Sequence, residues 1–339
     1  MKAVARVRPT SDRWTSSLSL NQINHMVKSD ASPEVYRFSA QRVAAEFDEA
    51  LKWMSSLGIR TNSGRIFEYA KVLSNWAVLP EANDTFAAHA LSPAMRSAVL
   101  DSNMFISVHR AFHKIPQSEL GGIVDKLKMS IGGPADVADE TEKASAPRNF
   151  LFEAVVAANF YCPNQGVHTF LSSPSDTGFT YLSRHIFVEC KRLGSVNGIE
   201  NNVRKACNQL TVALNEDSTS RHGGLIALDI SNIISTDTAV ADEKLLTSHM
   251  AKQMDQFIES SSIDWQKVYP QKDPRIFGAL FRFSRLIQSE FDGLWVIATE
   301  WGVNPRQGLG WSETRYMQRL ARALQSGSRD RNRSLRRSH

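Results

Sequence analysis

The spacing of apolar residues divides the chain into a first part with helical periodicity and a second part that mixes strands with helices. From Val43 to Met54, large apolar residues recur every three or four positions, which is the repeat of an amphipathic helix. The same repeat predicts further helices at about 63–78, 92–115 and 118–131. The sequence therefore predicts an all-helical domain over residues 31–131, preceded by an irregular N-terminus over residues 1–30.

A change in composition and then in periodicity marks the second part. Residues 132–147 are rich in glycine, proline, alanine and acidic residues, which is typical of a linker. After an almost wholly apolar helix at 149–160, the pattern predicts strands at 167–171, 179–182 and 185–191, a helix at 197–215, a strand at 223–231, a helix at about 241–260, strands near 275–283 and 293–299, and a helix at about 312–325. This order mixes hairpin-like and crossover connections, so residues 148–325 are expected to form an α/β domain with a mixed sheet flanked by helices.

The net charge of +5 is concentrated at the C-terminal end of the chain. Residues 326–339 contain five arginines and one aspartate, so this segment carries +4 and the rest of the chain about +1. We expect a disordered basic tail here. Such a tail can add phosphate contacts through counterion release or can simply keep the protein in solution, and the sequence leaves both interpretations open.

Cysteine usage and hydropathy indicate where the protein works. Cys162, Cys190 and Cys207 form no CxxC pair and are odd in number, which is typical of reduced thiols in an intracellular protein. No apolar run approaches the roughly 18 residues that are needed to span a bilayer. The sequence therefore predicts a cytoplasmic protein that does not enter a membrane.

The strongest chemical signal lies in the predicted strand HIFVECK, residues 185–191. Alternate side chains of a strand share a face, so Glu189 and Lys191 are expected to lie side by side. The strand is too apolar to be solvated, and a buried carboxylate or ammonium costs several kcal/mol unless it is compensated. The two groups could compensate each other as a metal-free ion pair, or a metal ion and a phosphate could compensate them.

Two further acidic residues are expected to join this strand. An antiparallel hairpin that turns through Leu182–Arg184 would bring Asp176 next to Glu189. Hard carboxylate oxygens beside a lysine suit Mg²⁺ or Mn²⁺. Glu153 is the single carboxylate in the apolar helix NFLFEAVVAANF, so it is expected to be buried and to need a partner.

Together these elements resemble the PD-(D/E)XK nuclease superfamily, whose members share the restriction-endonuclease-like fold. The resemblance rests on an apolar helix with one glutamate, an aspartate, an apolar strand ending in E-x-K and a helix that carries glutamine, and it covers about residues 149–231. The sequence departs from the family pattern at Pro174-Ser175-Asp176, where a serine separates the proline from the aspartate. A second acid-x-lysine segment, Asp242–Lys244, lacks the apolar strand and the upstream partners, so we do not assign it to a site.

The resemblance implies a metal-dependent phosphodiesterase and a role for each residue. Asp176 and Glu189 would be ligands of Mg²⁺ (or Mn²⁺), together with the backbone carbonyl of Cys190. Lys191 would be the catalytic lysine. Glu153 would be a further metal- or water-binding carboxylate with a part in catalysis.

The helix after the strand is expected to face the substrate. Asn202, Lys205 and Gln209 form a polar stripe along it. The resemblance implies that Gln209 orients a phosphate or a water molecule in catalysis. Asn202 and Lys205, with Arg192 at the end of the strand, are expected to bind nucleic acid.

The expected function is a nuclease that acts on DNA rather than RNA, most simply as an endonuclease. Free-standing nucleases of this superfamily often serve restriction or anti-phage defence, and the resemblance extends that role to this chain. The helical region over residues 31–131 would recognise DNA, form a homodimer or bind a partner protein. The alternative is a catalytically idle nucleic-acid-binding or assembly protein that retains the nuclease fold.

Overall fold

The computed structural model describes residues 34–78, 91–141, 144–170, 173–217, 221–234, 243–268, 272–289 and 294–337. These residues form eight α-helices and one seven-stranded mixed sheet. The helices are α1 (Ala40–Ser56), α2 (Arg65–Ala77), α3 (Pro93–Phe112), α4 (Gly121–Ser130), α5 (Ala146–Phe160), α6 (Ile199–Glu216), α7 (Glu243–Val268) and α8 (Trp311–Arg337). The strands are β1 (Glu34–Phe38), β2 (His168–Phe170), β3 (Thr177–Tyr181), β4 (Arg184–Arg192), β5 (His222–Asp229), β6 (Ile276–Gln288) and β7 (Trp295–Pro305).

The strand order is β1-β7-β6-β5-β4-β3-β2. The pairs β4–β5 and β5–β6 are parallel, and the other four pairs are antiparallel. Helix α6 connects β4 to β5 and packs on both strands. The predicted mixed α/β class is therefore confirmed, and the parallel centre of the sheet places the carboxyl ends of β4, β5 and β6 at one edge.

Helices cover both faces of the sheet, as buried parallel strands require. On one face, which we call the α5 face, Ile186, Val188 and Cys190 of β4 share a core with α5 and with helices α1–α4. On the opposite face, the α6 face, Phe187 packs with the apolar stripe of α6. This alternation along β4 is the period of two that the sequence predicts for a strand.

The prediction of an all-helical N-terminal region is wrong for its first residues. Residues 34–38 form β1, an edge strand that pairs with β7 from Glu34↔Thr299 to Phe38↔Trp295. Helix α1 begins only after Ser39, whose side chain accepts a hydrogen bond from the Arg42 amide at 3.2 Å. The strand covers only five residues, too few for its period to stand out beside the long helical pattern that follows.

The segments predicted as linker and as tail also differ from expectation. Within residues 132–147, the Ala135 carbonyl accepts hydrogen bonds from Tyr69 and Arg148, so this segment packs against α2 and α5. At the other end, α8 continues to Arg337, so the backbone predicted to be disordered from residue 326 is helical up to that residue. The predicted irregular N-terminus, residues 1–30, lies outside the described residues. In the ranges that the structure describes, no helix is long and apolar enough to cross a membrane.

Candidate active site

The hairpin of β3 and β4 sets the position of the candidate residues. Its two turn residues, Leu182 and Ser183, are both left-handed, with φ of 50° and 57°, as a tight two-residue hairpin turn requires. The register pairs Thr177 with Val188. Asp176, one residue before β3, is therefore opposite Glu189, which is the register that the sequence predicts.

Asp176, Glu189 and Lys191 meet at the end of this hairpin. The Lys191 Nζ donates to Glu189 Oε2 at 3.1 Å and lies 3.5 Å from Asp176 Oδ2. The Asp176 amide is 3.4 Å from Glu189 Oε1, and the Cys190 amide donates to Asp176 Oδ2 at 2.8 Å. Glu189 is only 3% exposed, so these contacts replace most of its hydration.

The backbone direction of β4 accounts for the contact between Cys190 and Asp176. The amides of His185 and Leu193 donate toward β5, to Arg221 and Asp229. Odd-numbered residues of the strand therefore bond toward β5, and even-numbered residues such as Cys190 turn their amide and carbonyl toward β3. Because β3 begins only at Thr177, the polar backbone of Cys190 faces the Asp176 side chain instead of a strand.

Glu153 extends the acidic group from α5. It is 7% exposed, and its Oε2 accepts a hydrogen bond from the Lys126 Nζ of α4. Lys126 was not predicted as a site residue, because its contact with Glu153 depends on how α4 packs against α5, which the periodicity of each helix leaves undetermined. In the described part of the chain Glu153 makes no hydrogen bond to Asp176, Glu189 or Lys191, yet its charge interacts with those of Asp176 and Lys191.

The electrostatics of this acid–lysine cluster (Glu153, Asp176, Glu189, Lys126 and Lys191) are unbalanced. Burial, and then the charge of Asp176, raise the pKa of Glu153 to about 7 and that of Glu189 to about 7. Burial alone would lower the pKa of Lys191, but Asp176 and Glu189 outweigh it and raise that pKa. Three carboxylates share two ammonium groups, so once all three acids are ionised the cluster has excess negative charge that an added cation would offset.

The available oxygen ligands suit Mg²⁺ better than a metal ion that takes all of its ligands from the protein. Mg²⁺ is usually held by one or two carboxylates, with waters and substrate phosphates completing its octahedron. Asp176 and Glu189 supply such oxygens, and the carbonyl of Cys190 faces the same side of β4. Among the described residues no group of three or more His, Cys, Asp or Glu side chains is arranged to hold a metal ion, and Lys126 and Lys191 contact carboxylate oxygens of the cluster.

The predicted stripe on α6 does not join this cluster. Gln209 and Lys205 are exposed, and the Asn202 side chain donates to the Gly198 carbonyl within its own helix. None of the three makes a hydrogen bond or ion pair with the acid–lysine cluster in the described residues. The position of Gln209 along the sheet follows from its neighbour Leu210, which packs over Gly224. Gly224 pairs with Phe187, which lies two residues before Glu189 on β4. Gln209 is thus displaced along β4 and points to solvent.

Arg192 also takes a different partner from the one predicted. It is an even-numbered residue of β4, so its side chain leaves on the α5 face, away from Glu189 and Lys191. There it donates to Glu140 Oε1 at 2.9 Å, and both side chains are about nine-tenths buried. The pairing leaves Arg192 as part of the protein interior rather than of an open nucleic-acid surface.

Comparisons with known proteins assign no relative to this geometry. No family model, no curated protein and no solved structure matches the chain. The molecule is therefore defined by its own features: a mixed α/β protein with a buried cluster of carboxylates and lysines at the carboxyl end of a central strand.

Proposed function

We propose that this protein is a divalent-metal-dependent nuclease of the PD-(D/E)XK type, with the restriction-endonuclease-like fold. One observation carries the proposal: Asp176 just before β3 and Glu189 and Lys191 on β4 join in one group of contacts, none longer than 3.5 Å, around the buried Glu189. That combination of two hard oxygen ligands and an ammonium suits hydrolysis of a phosphodiester.

The position of the cluster supports this proposal. It lies at the carboxyl end of β4, the edge of an α/β sheet where ligands commonly bind. Asp176 and Glu189 would hold Mg²⁺, which supplies Lewis acidity toward the phosphate and lowers the pKa of water when bound. In the same site Glu153 would orient the attacking water.

Lys191 has the chemistry to stabilise negative charge as it develops on the phosphate. The pKa of Lys191 is raised, so its side chain stays protonated. The carboxylates of Asp176 and Glu189 fix the position of the ammonium group. A preorganised cation of this kind in a largely dry site typically contributes about 10²–10³-fold to the rate. With substrate bound, Lys191 would exchange part of its contact with Asp176, the longer of its two, for a phosphate oxygen.

The finer assignment follows the resemblance to the superfamily. We propose DNA rather than RNA as the substrate, endonucleolytic cleavage, and a role in restriction or anti-phage defence. The helices α1–α4 would bind DNA, a second copy of the chain or a partner protein.

A second function has one specific observation in its favour. Lys126 and Lys191 already occupy oxygens of Glu153, Asp176 and Glu189, so the cluster has partners without any metal. The alternative is a catalytically idle protein that keeps this fold to bind nucleic acid or to assemble with a partner. Metal binding separates the two functions.

The first test is plasmid cleavage in the presence of Mg²⁺ by wild type and by Lys191→Ala. We expect the variant to lose at least about 100-fold in rate, because it lacks the cation that faces the phosphate. The matched control is Lys71→Ala, which removes an exposed lysine of α2 that contacts Glu68 at 3.1 Å and the Phe67 ring on its own helix, and it should cleave like wild type. Equal cleavage by wild type and Lys191→Ala would refute the assignment of this site.

The second test measures metal binding without activity. Mn²⁺ binds the folded state, so it should raise the melting temperature of wild type but not that of Asp176→Asn. Cleavage with no such shift would place the metal elsewhere. A chain that neither cleaves nor shifts would be the idle protein of the alternative.

A further inference from the structure

A cleft far from the acid–lysine cluster combines positive charge with the exposed ring of Trp311. It has a volume of about 250 Å³ and lies between the β3–β4 turn and the start of α8. Its lining residues, which we call the arginine cleft, are Leu182, Arg184, Arg221, Trp311, Ser312, Arg315, Tyr316 and Arg319. We propose that the arginine cleft binds a single-stranded segment of nucleic acid, with its arginines on the phosphates and Trp311 stacked on a base.

The charge of the cleft is largely uncompensated. Arg184 is 3.7 Å from Glu313, and that is the one ion pair which the four arginines make with described residues. Arg221, Arg315 and Arg319 are exposed and make none within those ranges. Several arginines concentrated in one concave site attract a polyanion and release its counterions.

Helix α8 presents its cationic residues in a stripe. Tyr316, Met317 and Leu320 of the helix are buried against the body of the protein. Arg315 and Arg319 are four residues apart on the opposite side, so they stand one above the other on the solvent face. The stripe starts at Trp311, one turn before Arg315, and Arg322 extends it by a further turn.

The aromatic residues give the cleft the means to bind bases. Trp311 is 70% exposed, which is unusual for so large an apolar ring, and the Arg315 guanidinium lies 5.0 Å from its centroid. Arg184 is similarly placed 4.9 Å from the Tyr316 ring. Stacking of bases on exposed aromatic rings inside a basic groove is how many proteins bind single strands without reading their sequence.

The turn that forms the other wall supports a role in binding. Leu182 is left-handed, with φ of 50°, where asparagine or glycine is favoured, and its side chain is 52% exposed. A leucine here costs backbone energy and hides little apolar surface, so folding alone does not account for it. In the cleft it offers an apolar contact for an unstacked base.

A single strand fits better than other anionic partners. At about 250 Å³ the cleft is smaller than the roughly 300–1,000 Å³ of sites that enclose a whole small molecule, so it suits one part of a chain that continues on both sides. The bases of a duplex are stacked and are not available to Trp311. A membrane surface would need apolar residues that project outward, whereas these line a concavity.

The inference is independent of the nuclease proposal. Arg184 and Glu189 stand at opposite parts of β4, and the five residue steps from one to the other correspond to about 17 Å of strand. Substitutions in the cleft therefore leave the acid–lysine cluster intact. Binding can be measured in EDTA, where a metal-dependent nuclease does not cut.

The test is fluorescence anisotropy of a labelled dT12 oligonucleotide with the full chain in EDTA, over a range of salt concentrations. In the double variant Arg315→Ala/Arg319→Ala we expect the slope of log Kd against log salt to fall by about 1.4, because each phosphate contact on a single strand contributes about 0.7. Trp311→Ala should weaken binding about tenfold, the loss of one base stack, and leave that slope unchanged. Arg60→Ala, which removes an exposed arginine near the end of α1 whose hydrogen bond within the described residues goes to Asn62, is the matched control and should bind like wild type.

Three results would overturn the proposal. One is an unchanged affinity and salt slope in the double arginine variant. Another is equal or tighter binding of a 12-base-pair duplex, since that would exclude recognition of unstacked bases. The third is binding of phosphatidylserine vesicles that the same substitutions abolish while dT12 binding persists, which would make the cleft a lipid site.

Discussion

One helix, α5, carries a buried arginine and a buried glutamate, and each belongs to a different cluster of charge. Arg148 joins Asp101, Tyr69 and Arg65 in a network between helices, whereas Glu153 belongs to the acid–lysine cluster. Asp101 is 6% exposed, and its burial alone would raise its pKa, yet the arginines around it hold that pKa below its usual value. Glu153 is also buried, but its pKa is raised to about 7.

The difference shows how the two clusters relate to the fold. Around Asp101, the Arg148 Nε and the Tyr69 hydroxyl both donate at 2.8 Å, and Arg148 also donates to the Pro134 and Ala135 carbonyls at 3.0 Å. These contacts favour the charged form of the acid and so stabilise the folded state. In the acid–lysine cluster the carboxylates repel one another. The folded state therefore disfavours the ionised forms of Glu153 and Glu189. Such a mismatch is typical of functional sites.

The largest effect that would test this comparison is the removal of Asp101. Asp101→Asn leaves the buried Arg65 guanidinium without its counter-charge and leaves Arg148 with Glu140 at 3.7 Å, so the free energy of unfolding should fall by about 3–5 kcal/mol. Denaturant unfolding followed by circular dichroism measures it. The control is Asp125→Asn, whose exposed side chain lies 3.7 Å from Lys128 and should cost less than about 0.5 kcal/mol. A small loss in Asp101→Asn would mean that the network does not stabilise the fold.

A third buried acid, Glu300, also has a raised pKa but lies outside both clusters. Glu300 of β7 is 7% exposed, and its Oε2 has no hydrogen-bond partner in the described residues. Burial, and then the charge of Asp255, raise its pKa to about 8. Unlike Glu189, it makes no ion pair with a lysine of the described residues, so we expect it to affect stability and not activity.

The expected effect of Glu300→Gln depends on pH. Above pH 4.5 the unfolded chain has released the proton that the folded chain still holds, so the free energy of unfolding falls as pH rises toward 8. Glutamine cannot ionise, and the variant should therefore be more stable than wild type at pH 8.5 by about 2–4 kcal/mol, and nearly equal to it at pH 4.5. Denaturant unfolding at the two pH values measures this, with the exposed Glu259→Gln as control. An equal difference at both pH values would show that Glu300 is ionised throughout.

Sequence patterns predict the parts of the molecule that local rules determine. The contact between Asp176 and Glu189 follows from a period of two and a tight turn, which together fix the register of a hairpin. The burial of Glu153 follows from its place in an apolar helix. Arg148 stands just before the predicted apolar helix, beside Pro147 and Asn149, so the pattern does not reveal its burial or its contact with Asp101.

The parts that could not be predicted depend on packing between distant elements. The contact of Lys126 with Glu153 requires the relative placement of α4 and α5, and that of Arg192 with Glu140 requires the fold of residues 132–147 against β4. The position of Gln209 depends on the exact rotation of α6 about its axis. The apolar stripe predicts only which side of α6 faces the sheet. The arginine cleft joins residues more than 100 positions apart, so no local spacing reveals it.

The smallest effect on stability is expected for Glu189→Gln, which tests the comparison between the acid–lysine cluster and the Asp101 network most directly. Glu189→Gln removes a carboxylate whose pKa is raised to about 7, so at pH 8 the folded state gains by losing a charge that burial and Asp176 disfavour. It also loses the contact with Lys191, but that ammonium keeps Asp176 at 3.5 Å. The two changes oppose each other, and the free energy of unfolding should stay within about 1 kcal/mol of wild type.

The same substitution should abolish the metal-induced rise in melting temperature, because an amide oxygen is a much weaker ligand for Mg²⁺ or Mn²⁺ than a carboxylate. Glu119→Gln, at an exposed site after α3, should preserve both stability and the metal response. A loss of about 3 kcal/mol or more in Glu189→Gln would give this cluster the same role as the Asp101 network. Its charges would then hold the fold together, and the argument for chemistry at β4 would lose its physical basis.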